Sequence, residues 1–363
     1  VPPITLDFSV NVNPLGTPAG AEAILHDALR LISAYPEAHA ETATARLAQN
    51  LGVAPERILL GNGSTEILGW LMTAFKPATP AWSIPCYAGY AEACEAAGIR
   101  GTAVPGLGPT SGFLPDFPVL LASHATMLFL GNPNNPTGGL ISRESVLRFA
   151  AGKPSCIVVV DESFMDFVQD LGRYSLVGQA MPLNVVVIKS LTKFFAIPGL
   201  RLGMAYGHPD TIARLQTAAL PWSVNALAQA VAGHLYSDRG YTERTLQVVA
   251  GQRQVLTDAL SRLPGFKVHP SAVNFVLVEL PEAWPVPKLQ AELLKRGVLI
   301  RSCANFAGLG ERYCRFAVRP AAETGAFLRV LQSVVTKKEA APTRPLRARA
   351  LMVVGTMSNS GKS

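Results

Sequence analysis

Five continuous apolar runs, separated by stretches of helical pattern, limit what this chain can fold into. They are "RILLGNG" (57–63), "ATMLFLGNP" (125–133), "SCIVVVDES" (155–163), "LNVVVIKS" (183–190) and "LRLGMAYG" (200–207). A strand that is apolar at every position has no face for water, so it must be covered on both sides. Alternation with helices then implies an α/β fold with a mostly parallel sheet between helical layers. Most of the runs end in Gly, Asn, Asp or Ser. Ligands of open α/β sheets bind beyond the carboxyl ends of the strands, so these ends are expected to converge on one site.

A second region follows the long amphipathic stretch at 242–263. It contains "NFVLVEL" (274–280), a helix near 287–296, "GVLIRS" (297–302) and "YCRFAVR" (313–319), and reads as a smaller α+β domain. The segment "TKKEAAPTRPLRAR" (336–349) is rich in charge and Pro and reads as a linker. The expected division is an N-terminal arm at 1–34 joining the small domain, a large domain at 35–240, the small domain at 241–335, and a basic tail at 336–363.

The chain has 363 residues, of which 49% are hydrophobic and 16% charged, so it is globular rather than disordered. No apolar run approaches bilayer length and no signal-peptide pattern is present, so a cytoplasmic protein without a membrane partner is expected. The five cysteines, Cys86, Cys94, Cys156, Cys303 and Cys314, have neither metal nor redox spacing, and read as reduced thiols with no metal centre. The net charge of +7 raises the question of nucleic acid. Six basic residues and one acidic residue lie after Thr336, so most of the excess is a tail rather than a binding face.

Chemistry concentrates in "KSLTKFFAIPGLRLG" (189–203). A lysine after a strand is by default a surface residue. Lys193 instead lies among apolar residues, and burial lowers an amine's pKa and makes it nucleophilic toward an aldehyde. Ser190 and Arg201 nearby suit a phosphate, one by hydroxyl and one by a bidentate fork. In "VVVDES", Asp161 ends a buried strand. It could cap the next helix, or hold the ring nitrogen of a pyridoxal group protonated and so make that ring an electron sink. "GNPNNPTGG" (131–139) is a turn by composition, and its place after a strand puts Asn135 within reach of the ring's phenolic oxygen. "GNGSTEIL" (61–68) leads small residues, with Ser64 and Thr65, into a helix whose free N–H groups favour a phosphate. Tyr87 in "SIPCYAGY" is by itself more simply a core residue, or can stack on a flat ring.

Taken together, in this order and spacing, these motifs resemble the fold-type I pyridoxal-5′-phosphate enzymes of the aminotransferase class I/II family over nearly all of residues 5–335. The resemblance implies pyridoxal 5′-phosphate bound covalently by Lys193. Asp161 would meet the pyridine nitrogen, Asn135 the phenolic oxygen and Tyr87 the ring face, with Ser64, Thr65, Ser190 and Arg201 at the phosphate. Tyr35, in "AYPEAH", matches a tyrosine that reaches the phosphate in the partner subunit, which implies a homodimer. Arg315 matches the arginine that binds a substrate α-carboxylate.

Two branches of the family resemble this sequence. Histidinol-phosphate aminotransferases share the "NVNPLG" start, the Tyr-Pro segment and the C-terminal Arg strand. Threonine-phosphate decarboxylases of cobalamin biosynthesis share these and more. Phe164 stands where most aminotransferases of the class carry Tyr, and both "LPWSVNALAQ" (220–229) and "LIRSCANFAGLGERYCRFAVR" (299–319) resemble the decarboxylase branch. That branch implies a phosphorylated amino acid substrate, with Arg301 at its phosphate and Asn13 as a further contact. It also usually carries a His-Gly-Gly segment ahead of the residue at which this sequence starts.

The tail "GTMSNSGKS" looks like a phosphate-binding loop, but five residues separate Gly355 from Gly361 where the common loop has four. That spacing resembles the dethiobiotin synthetase-like ATPases and the opening of cobyric acid synthase. With no helix after Ser363 to aim its N–H groups, the segment is expected to be a disordered stub that binds no nucleotide, left by fusion to, or overlap with, such a domain.

Overall fold

The computed structural model describes residues 3–336, and the tail and its phosphate-loop pattern lie outside them. Among the described residues, thirteen strands form three sheets. In chain order they are β1 (Leu6–Asp7), β2 (Ile58–Gly61), β3 (Pro80–Ile84), β4 (Thr102–Pro105), β5 (Met127–Gly131), β6 (Ile157–Asp161), β7 (Val185–Ser190), β8 (Gly203–Gly207), β9 (Lys267–Val268), β10 (Phe275–Glu279), β11 (Val298–Leu299), β12 (Arg301–Ser302) and β13 (Tyr313–Ala317). The large sheet has the order β2-β8-β7-β6-β5-β3-β4 and is parallel except at β8, which runs against both neighbours. The small sheet, β12-β13-β10-β9, is antiparallel throughout.

The large sheet is buried on both faces, as its sequence requires. Leu128, Leu130, Val158, Val160, Val185 and Val187 pack into one core. The intervening Met127, Phe129, Val159, Val186 and Ile188 pack into a second core on the opposite face. A third core belongs to the small sheet and joins Phe8, Val276, Val278, Phe316, Phe327 and Leu331.

Several elements differ from their sequence reading. Strands β3 and β4 escaped it, because β3 opens on Pro80 and β4 is a short, mostly exposed edge ending at Pro105. Strand β8 is antiparallel, so the end of it that meets the site is Gly203, beside Arg201, and not its final glycine. "GVLIRS" is two short strands. β11 pairs with β1 and β12 with β13, and buried Ile300 lies between them.

The expected domain edges also cut through continuous packing. Leu6–Asp7 pairs with β11 in a two-stranded sheet beside the small one, whereas Ala21 on helix Ala19–Ala28 packs into the large-sheet core. Helix Arg239–Ser261 starts at Asp238, whose carboxylate caps Tyr241 N at 2.8 Å. Its buried residues Tyr241, Thr245, Val249, Leu256 and Leu260 follow helical spacing along one stripe. Tyr241 and Val249 enter a large-sheet core, and Leu256 and Leu260 the small one, so this helix bridges the two.

Candidate active site

The parallel strands β5, β6 and β7 deliver Gly131, Asp161 and Ser190 to one edge of the large sheet. Asp161 is half-buried, and Tyr90 and Ser163 hold its carboxylate. Tyr90 Oη donates to Oδ2 at 2.9 Å and Ser163 N to Oδ1 at 2.9 Å. Burial pushes its pKa up, against the pull of Ser163, Tyr90 and the Lys193 amine. Ser163 Oγ accepts from Ser190 N at 3.0 Å, which ties the ends of β6 and β7 together.

Lys193 lies in the turn after β7, and its backbone oxygen accepts from Asn13 N at 3.0 Å. Burial lowers its pKa, Arg201 and Arg315 lower it further, and Asp161 opposes them. Another lysine, Lys189, is buried on β7 four residues earlier, but its Nζ is committed to Asp166 at 2.6 Å. Tyr236 Oη also donates to Asp166, at 2.9 Å. Of the two, Lys193 is the amine available for chemistry.

Arg201 adopts φ 55°, a left-handed conformation that a non-glycine residue holds only at a cost of about 1 kcal/mol or more. Its guanidinium lies across Gly63, where an added Cβ would fall 2.6 Å from Nη2. Gly63 (φ 81°) precedes helix Ser64–Phe75. A Cβ on Gly203 would fall 2.5 Å from Ser64 N, so β8 presses directly on that helix start. The free N–H groups at Ser64 and Thr65, the Ser190 hydroxyl and the Arg201 fork form a donor set that fits a phosphate dianion. Tyr87 is half-buried, and burial and the Asp161 charge push its phenol up, against the pull of Thr65 and Arg201. Its ring folds back over Gly89, where a Cβ would meet Cε1 at 2.3 Å.

The small sheet supplies the other wall. Arg315 is 7% exposed and donates to Asn135 Oδ1 at 2.5 Å and to Ser9 O at 3.0 Å. The Asn11 amide oxygen, oriented by its hydrogen bonding, accepts from Arg315 Nε, Nη1 and Nη2 at 3.1, 2.9 and 3.1 Å. Burial pulls the Arg315 pKa down to about 10. Arg301 is the cross-strand partner of Arg315, so the two side chains share a face of the sheet. Arg301 reaches Asn305 at 3.0 Å and lies over the Phe306 ring. Phe164 packs edge-on against Phe275 at 5.1 Å, and Arg315 lies over that same Phe275 ring.

Two expected residues are placed differently. Asn13 is buried and its Nδ2 is committed to Phe194 O, Tyr241 Oη and Thr245 Oγ1 at 2.7–2.9 Å, so it anchors the arm. The asparagine that faces the site is Asn11. Tyr35 is 87% exposed beside Trp222 and lines a separate cavity of about 270 Å³ with Glu37, Arg46 and Gln229. Tyr90, Ser163 and Asn11 were missed from sequence. Only Tyr90 carried a signal, since it follows Tyr87 by one helical turn.

A pyridoxal phosphate fits this arrangement: an anion at one end, phosphate donors at the other, an aromatic face, and a depressed lysine between. The family described as Aminotransferase class I and II matches residues 3–333. A threonine-phosphate decarboxylase of Salmonella typhimurium is 36% identical, over 91% of each chain. The adenosylcobalamin biosynthesis bifunctional protein CobDQ of Leptospira interrogans is 29% identical over 99% of this chain, which spans 42% of that relative's length. Among solved structures, the histidinol-phosphate aminotransferase of Clostridium acetobutylicum superposes with a TM-score of 0.85 at 27% identity, covering 92% of this chain and all of that one. The chain therefore belongs to the aminotransferase class I and II family, with the fold-type I architecture, and is a pyridoxal-phosphate-dependent enzyme.

Proposed function

We propose that the chain decarboxylates L-threonine O-3-phosphate to (R)-1-aminopropan-2-yl phosphate. The observation that carries this reading is the Arg301–Arg315 rung. Two guanidinium groups on one face suit a small substrate with two anionic groups, a carboxylate and a phosphate. The Salmonella relative bears the name of this activity.

Lys193 would carry the cofactor and Asp161 would face its ring nitrogen. Tyr87 would cover the ring and Asn135 would meet its phenolic oxygen. Ser64, Thr65, Ser190 and Arg201 would hold its phosphate. When bound, the cofactor supplies an electron sink for a bond broken at the substrate Cα. Arg315 grips the carboxylate and Arg301 the phosphate. Together they would set which bond at the substrate Cα is broken, the one to the carboxylate rather than the one to hydrogen, so the outcome is decided by orientation. Carbon dioxide leaves, and the Lys193 ammonium delivers a proton to Cα. The depressed pKa of Lys193 makes its ammonium a readier proton donor than an ordinary lysine's. Phe164 offers no hydroxyl beside Phe275, where most aminotransferases of the class carry Tyr.

We place the enzyme in the cytoplasm, where its five buried free thiols stay reduced, and in cobalamin biosynthesis. The Leptospira relative aligns over 99% of this chain, and thus past residue 336, which supports reading the tail as a join to a second biosynthetic domain. A homodimer in which Tyr35 serves the partner's site accounts for a tyrosine that is 87% exposed.

The purified holoenzyme given threonine phosphate should release carbon dioxide. Given histidinol phosphate and 2-oxoglutarate, it should form no glutamate. Glutamate formation without carbon dioxide release would assign it to the aminotransferase branch instead.

A further inference from the structure

Tyr90 is 1% exposed, inside the first turn of helix Gly89–Ala96. Its ring stacks on Phe129 of β5 at 5.1 Å and 9° and meets Tyr87 edge-on at 5.6 Å. Packing on two sides leaves the hydroxyl one direction, toward Asp161 Oδ2 at 2.9 Å. Gly131, the cross-strand neighbour of Asp161, keeps the space open, since a Cβ there would lie 2.9 Å from Asn134 Oδ1 and 3.4 Å from Tyr90 Oη. Ser163 N fixes the other carboxylate oxygen. The carboxylate is thus held at both oxygens before any ligand arrives.

We infer that Tyr90 is a positioning residue for the cofactor, which it never touches: its hydroxyl fixes the Asp161 carboxylate toward the cofactor's ring nitrogen. The inference rests on the reading that Asp161 meets that nitrogen. Burial and the Asp161 charge push the Tyr90 phenol well above its ordinary pKa, so it remains the donor. A buried carboxylate with fewer donors favours its neutral form, which has no charge to offer a protonated ring.

The test compares reconstitution of apoenzyme, prepared from holoenzyme, with pyridoxal phosphate and with the analogue whose ring nitrogen is replaced by carbon. Tyr90→Phe keeps the ring and its stacking. It should weaken pyridoxal phosphate binding about tenfold, the worth of one hydrogen bond to a charged group, and leave the analogue's affinity unchanged. In an Asp161→Asn background the same substitution should add nothing. Equal weakening of both ligands would show a merely structural role and overturn the inference, as would parental affinity for pyridoxal phosphate. If Asp161→Asn alone fails to discriminate the two ligands, the reading of Asp161 falls first and the inference with it.

Discussion

At the residue scale, the site rests on a set of buried charges that differ in how they are matched. Lys189 and Asp166 have side-chain exposures of 4% and 8% and sit 2.6 Å apart. Removing one partner leaves the other charge enclosed, so Asp166→Ala should cost about 3–5 kcal/mol in denaturant unfolding. Glu162 accepts from Ser175 Oγ and Leu176 N, each at 2.7 Å, yet burial raises its pKa to about 7. The folded state therefore holds a proton that the unfolded chain releases near the usual carboxylate pKa. Glu162 stabilises the fold fully below that value, and its contribution is lost as pH rises through about 7. Glu162→Gln should flatten the melting temperature between about pH 5 and 8; a profile that still falls like the parent's would show that other groups set it. The sequence singled out Lys193, Asp161, Asn135 and Arg201 because each sits in a motif at a strand end. It was silent on Asn11, and gave Tyr90 only its spacing from Tyr87, because both act through hydrogen bonds between segments distant in the chain; Ser163 bonds Asp161 locally, in a turn that the sequence did not reveal.

At the element scale, close backbone contact sets the phosphate end of the site. Gly203→Ala would drive a Cβ against Ser64 N and push helix Ser64–Phe75 away from β8. Cofactor should then be lost faster on dialysis, with the fold intact. Gly69, in the same helix, has open space around its Cβ position, and Gly69→Ala should stabilise the protein by about 1 kcal/mol without changing cofactor retention. The apolar runs revealed the central strands because burial on both faces is written into their composition. The direction of β8 was not legible, since a continuous apolar run reads the same either way. Edge strand β4 was not legible because it has little apolar character.

At the scale of the whole molecule, the site lies where two sheets and three cores meet. Arg315 from the small sheet reaches Asn135 at the large one, and helix Arg239–Ser261 packs into both. The exposed apolar side chains Ile32 (70%), Leu220 (72%) and Trp222 (52%) near Tyr35 fit a surface covered by a second copy. If the proposed dimer uses this surface, Ile32→Asp should shift sedimentation toward a monomer and weaken cofactor binding; an unchanged sedimentation coefficient would remove that surface from the proposed dimer.

The most direct measurement of the central claim is borohydride reduction of the yellow holoenzyme followed by peptide mass mapping. Two lysines compete, the buried Lys189 and the half-buried Lys193, four residues apart. The geometry predicts the reduced cofactor on Lys193, whose amine is depressed by burial, Arg201 and Arg315. A cofactor found on Lys189, now held by Asp166, would contradict the whole assignment of the site.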